Sequence, residues 1–180
     1  MTNPRKKAAL VINWGEPPDY PKKYMGKYDF ILNSEAETEI ELDGTQAVAA
    51  IAYIAGAVDF AADGGMGAKI EAGFLQGLIS GITGEDITEE DLISLVETFQ
   101  EIINDAGPGA LYNAAYNALP EELVPAAYMA AFGMCVIDGD VPDEAVDFLV
   151  EIKESLELTD EEAEELANEF IKILDEESEN

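Results

Sequence analysis

Five carboxylates crowd the ten residues from Asp138 to Asp147: Asp138, Asp140, Asp143, Glu144 and Asp147. Hard divalent cations take oxygen ligands, so this stretch is a candidate site for Ca²⁺, or for Mg²⁺ or Mn²⁺. Asp143 and Asp147 stand four apart, which puts both on one face of a helix. Asp59 and Asp63 repeat that spacing near a second Asp-Gly pair, Asp63-Gly64. The two sets come together if the apolar helices ending at the two Asp-Gly pairs pack side by side. All seven residues are therefore candidate ligands of one weak site. The EF-hand spacing does not hold. With Asp138 as the first position, the sixth is Asp143 instead of glycine and the twelfth is Leu149 instead of glutamate. The same residues also make an ordinary helix stop and start. Gly139 can supply a left-handed end, and Asp143 and Glu144 complement the dipole of the next helix. Both readings stand on sequence grounds.

Other chemistries are closed off by composition. The chain has no histidine and one cysteine, Cys135. Histidine-based triads, histidine zinc sites and thiolate-rich zinc sites are excluded, and no disulfide can form within the chain. Cys135 lies in an apolar run with no base to activate it, so it is expected to be an inert core thiol in a reducing, cytoplasmic setting. The stretch "AADGGMGAK" is glycine-rich but lacks the Gly-Lys-Ser/Thr order of a phosphate loop. The acids of "TEEDLISLVETFQ" and "TDEEAEELANEF" are expected to be solvated helix faces. No enzyme is expected.

Helices must position these residues. "QAVAAIAYIAGAVDFAA" and Leu123–Ile137 are apolar almost all round, which predicts two buried central helices. Each is followed by an amphipathic helix, and then by a threonine with acids (Thr88, Thr159) that opens a second amphipathic helix. In the first of these helices the spacing predicts a buried stripe of Ile70, Phe74, Leu78 and Ile82, with glycines that mark close helix contact or a soft helix. The reading is an all-α fold of about seven helices. It is a pseudo-duplicated three-helix unit around two apolar central helices, spanning residues 46–175, with Thr45 capping its first helix. Residues 1–45 form a basic, proline-containing extended arm. Within it "KYDFIL" and "TEIEL" alternate like two short strands of a β-hairpin across "NSEAE". Residues 176–180 form an acidic tail.

Charge bears on partners. The formal net charge is −30. From residue 28 onward, three lysines face 37 acidic residues, a net −34, while six basic residues precede that point. Such a field repels nucleic acid and anionic membranes, and attracts cations and proteins with a basic surface. No direct nucleic-acid binding is expected. A DNA-mimicking inhibitor of a basic DNA-binding protein is the alternative function, since carboxylates can stand in for phosphates. The longest uncharged apolar runs fall short of the ~18 residues that a membrane span requires, and "MTNPRKKAALVINW" is not expected to act as a secretory leader. The basic arm can make peripheral membrane contact or fold back on the acidic body. Six positive charges beside −34 favour the second course, one that salt should loosen.

The run "AAYMAAFGMCVIDGDVPDEAVDFLVEIKESLELTDEEAEELANEF" resembles the TerB-like helical domain of tellurite-resistance proteins, also seen at the N-terminus of certain DnaJ-type co-chaperones. Asp138, Gly139, Asp140, Val141 and Glu144 carry one element of that pattern. Leu156, Leu158, Thr159, Glu161 and Glu162 carry the other. The resemblance implies an all-helical pseudo-repeat and a non-enzymatic stress or tellurite-response role. It further implies cation binding through acidic residues and docking of a protein partner.

Overall fold

The computed structural model describes residues 27–63, 68–84, 86–137, 139 and 141–179, apart from the side chains of 59–63, 68–71, 82, 83, 177 and 178. The described elements are α1 (Asp29–Leu32), α2 (Gly44–Asp63), α3 (Ala68–Thr83), α4 (Glu89–Ala106) and α5 (Pro108–Ala118). A 3₁₀ turn (Glu121–Leu123) leads into α6 (Val124–Val136), followed by α7 (Asp143–Ser155) and α8 (Asp160–Ser178). No strand occurs among the described residues, and the fold is all-α. None of these helices is long and apolar enough to cross a membrane.

Two helices without a polar face must be covered on all sides, and α2 and α6 cover each other. Their interface is the largest between any two of the described helices. The run from Ala47 to Ala52 is sealed from solvent, as are Ala127, Ala131 and Cys135 on α6. The two rods run parallel. At the start of α2, a Cβ on Gly44 would lie 3.1 Å from Pro120 Cδ and 3.3 Å from Leu123 Cδ1, just before α6. Eleven to twelve residues later, the Cys135 thiol lies 3.8 Å from the Ala55 carbonyl oxygen, and a Cβ on Gly56 would lie 2.6 Å from Met134 Cε. Helices α3, α5 and α7 pack around α2, while α7 and α8 pack on α6.

The helix starts follow local chemistry. Thr88 accepts from the Asp91 amide at 3.1 Å and its own amide donates to the Asp91 carboxylate at 3.2 Å, a reciprocal capping box on α4. Thr159 and Glu162 repeat it on α8. The cap of α2 is Asp43 and not Thr45. The Asp43 carboxylate accepts from the Gln46 amide at 2.8 Å, and the Asp43 amide donates to Gln46 Oε1 at 3.1 Å. An ionised acceptor makes the stronger cap at the positive end of a helix. At the other end of the chain, α8 runs on to Ser178, through the start of the expected acidic tail.

The duplication holds in chain order and only in part in space. Helix α8 lies along α6, whereas its counterpart α4 packs chiefly on α5. It reaches α2 through the Tyr53–Phe99 ring pair, with centroids 5.5 Å apart. Among the described side chains of α3 the deepest are Leu75 and Ile79, one position beyond Phe74 and Leu78, which are half-buried. Ile70 and Ile82, the other two of the expected stripe, have side chains outside the description.

The expected β-hairpin is replaced by a helical turn and an irregular segment. Tyr28, Ile31 and Leu32 are all buried. Their spacing is helical, and six residues are too few to separate it from the alternation of Tyr28, Phe30 and Leu32. Beyond α1, in the stretch expected to be the hairpin loop, the Ser34 and Ala36 carbonyls both accept from the Asn113 side-chain amide of α5, each at 2.8 Å. Ser34 and Thr38 hydroxyls take the amides two residues on. The described end of the arm thus belongs to the helical core.

Candidate functional site

Because α2 and α6 run parallel, Asp63 at the end of α2 and Gly139 after α6 lie at the same pole of the bundle. Gly139 has φ +82°, a left-handed residue that ends the α6 turn, with its amide on the Val136 carbonyl at 2.9 Å. Pro142 then holds the N-cap position with its φ of −68°, and α7 begins at Asp143. Of the seven candidate ligands, Asp138 and Asp140 lie outside the described residues. Asp59 and Asp63 are described as main chain only, in the last turn of α2. Asp143, Glu144 and Asp147 are described, and all three are exposed on α7.

Those three do not by themselves form a cage for a cation. Among the described residues no three acidic or thiol side chains converge in a way that could hold a metal ion. Asp147 already faces a cation of the chain, with Lys27 Nζ 3.7 Å from its Oδ2. Both side chains are more than half exposed, so that pair contributes little stability.

What the α7 carboxylates visibly grip is polypeptide. Glu151 accepts from two successive backbone amides, Lys27 N–H at 2.7 Å and Tyr28 N–H at 2.8 Å, one on each oxygen. Bonds from amides to an ionised carboxylate are the stronger kind. The Tyr28 hydroxyl donates to the Glu144 carbonyl oxygen at 2.9 Å, and its ring stands edge-on to Phe148, with centroids 5.3 Å apart. Burial, then the carboxylates of Asp147, Glu144 and Glu151, push this hydroxyl well above the ordinary phenol range. It therefore stays protonated and keeps donating. This clamp joins residues 123 and 124 positions apart. Sequence reasoning missed its residues; only the general expectation of a basic arm on an acidic body pointed toward it. Replacing Glu151 by alanine should leave two amides without their acceptor and lower stability by about 2 kcal/mol. Hydrogen exchange at Lys27 and Tyr28 would rise well ahead of exchange in α2; unchanged protection there would argue against the clamp.

Cys135 is buried beside the Ala55 carbonyl, as an inert core thiol would be. Comparison with protein-family models, with curated proteins and with solved structures gives no match.

Proposed function

We propose that this chain is a non-enzymatic, TerB-like helical module of a stress or tellurite-resistance response. In this reading it docks a protein partner through its acidic surface and binds divalent cations weakly at its Asp-Gly pole. The parallel packing of the two apolar rods supports the reading, because the two helices that precede the Asp-Gly pairs end at one pole. The grip of α7 on Lys27 and Tyr28 is consistent with it, since carboxylates of the same helix hold a lysine-bearing segment of the chain itself.

The cation part depends on Asp138 and Asp140, since the described carboxylates alone make no cage. Calorimetric titration with calcium and with manganese at low salt tests it. The expected result is saturable binding with a dissociation constant on the order of 10⁻⁴ to 10⁻³ M, lost when Asp138→Ala and Asp140→Ala are combined. Identical traces from the two proteins, whether flat or equally curved, remove the cation from the proposal.

A further inference from the structure

A cleft of about 490 Å³ opens between the end of α5, the start of α6 and the corner joining α7 to α8. Its volume falls within the range of ligand-binding clefts. Leu119, Val124, Pro125, Leu156 and Leu158 give it apolar walls. Its charged lining is acidic: Glu121, Glu157 and Glu162. Tyr116 stands at the edge with 43% of its surface exposed. Its ring pairs with that of Tyr112, with centroids 6.1 Å apart, and the Tyr112 hydroxyl is hydrogen-bonded to Ser155 on the last turn of α7. An exposed aromatic is thus held in place before anything binds.

Glu157 is the unusual residue of the cleft. Helix α7 ends in a Schellman motif, with the Leu158 amide on the Lys153 carbonyl and the Glu157 amide on the Glu154 carbonyl, both at 3.1 Å. The residue after the C-cap in this motif is left-handed and is ordinarily glycine. Here it is Glu157 at φ +60°, the one non-glycine residue with positive φ among those described. Glycine would make the same corner without strain. What glutamate adds is a carboxylate on a cleft whose walls are both apolar and acidic, and local strain of this kind is a feature of functional positions. A second carboxylate, Glu162, is held below the usual range by the Thr159 amide and hydroxyl of its capping box, which favours its charged form.

We propose that this cleft seats a basic amphipathic segment of a protein partner. Apolar side chains of that segment would enter between Leu119, Val124 and Leu158. A lysine or arginine would lie over Glu157 and Glu121, within reach of the Tyr116 ring. The proposal rests on the basic-partner reading above and deepens it by naming the surface and the chemistry of what binds.

The test uses the full chain and a short dye-labelled peptide of leucine and lysine at helical spacing. Peptide binding is read by fluorescence anisotropy and folding by thermal melting. Glu157→Gly is expected to act in opposite directions on the two readouts. It should raise Tm by about 3 °C, as strain is relieved, and weaken the peptide about tenfold when combined with Glu121→Gln. The pair Glu97→Gln and Glu101→Gln removes the same charge from α4, outside the cleft, and should change binding by no more than about twofold. Equal weakening by both pairs would mean diffuse attraction to an acidic surface; the cleft is then overturned while basic-partner docking survives. Failure of the unaltered chain to bind the peptide would overturn both. Carbodiimide cross-linking reads the occupant, with links from Glu157 to the peptide lysines expected. Links from Glu157 to Lys6 or Lys7 of the same chain, or to a second copy, would overturn the partner as occupant.

Discussion

Replacing Gly109 by alanine is expected to destabilise the protein by about 3 kcal/mol. Gly109 follows Pro108 in the first turn of α5, where it lies directly against the segment after α1. A Cβ at this position would stand 2.9 Å from the Phe30 carbonyl oxygen and collide with the Ser34 side chain. The carbonyl is main chain and cannot rotate away as a side-chain tip would. Relief requires the 30–36 segment to move off α5. That movement breaks the two bonds from Asn113 to the Ser34 and Ala36 carbonyls and disturbs Ile31, which is fully buried. Overpacking of this kind is worth about 1–3 kcal/mol, and each lost hydrogen bond about 1 more. Urea unfolding should show a lower midpoint at unchanged slope, with amide exchange from Tyr28 to Ala36 rising first. A variant within about 0.5 kcal/mol of the parent would mean that the segment does not sit against α5 as described. Gly133 on α6 is the milder case: a Cβ there would meet the ring tips of Phe74 and Phe170 at 2.6–2.9 Å, and rings can tilt.

The opposite sign is expected on α3. Changing Gly73, Gly77 and Gly81 together to alanine should stabilise the protein by about 2 kcal/mol. The three occur at intervals of four in the helix, and a Cβ at each would meet no atom of the described residues within 4 Å. Alanine there restricts the unfolded chain and favours the helix, at roughly 0.5–1 kcal/mol per site. Thermal melting and urea titration of the triple variant should agree. A destabilised triple variant would show that this face of α3 is in fact closely covered. Spaced glycines are a familiar sign of helices in close contact, and the sequence suggested either that or a soft helix. No described residue makes close contact at these three positions.

These two cases show what part of the architecture could be read without coordinates. Glycine in a helix has one appearance in sequence and three different surroundings here: main chain at Gly109, ring tips at Gly133, open space at Gly73. The seven-residue candidate site divides in the same way. The helical spacing of Asp143 and Asp147 was legible, and both lie exposed on α7. That Asp147 faces Lys27 was not, because the two residues are far apart in the chain and surface charges have many available partners.

Interactions within one or two turns were set locally. The apolar belts of α2 and α6, the stripe of Phe99, Ile102 and Ile103 on α4, and the capping boxes at Thr88 and Thr159 each depend on residues three or four apart. Helical geometry brings such residues together whatever surrounds them. The all-α class and the acidic surface follow from the same short-range reading. Long-range packing decided the rest. It set the parallel course of the two rods, replaced the expected hairpin by α1 and a segment held by Asn113, and closed Glu151 on the amides of Lys27 and Tyr28. It also placed a strained Glu157 at the lip of a cleft. Each of these joins groups far apart in the chain. Periodicity and capping record which face of a segment is greasy and where it begins, but not which distant segment will cover it.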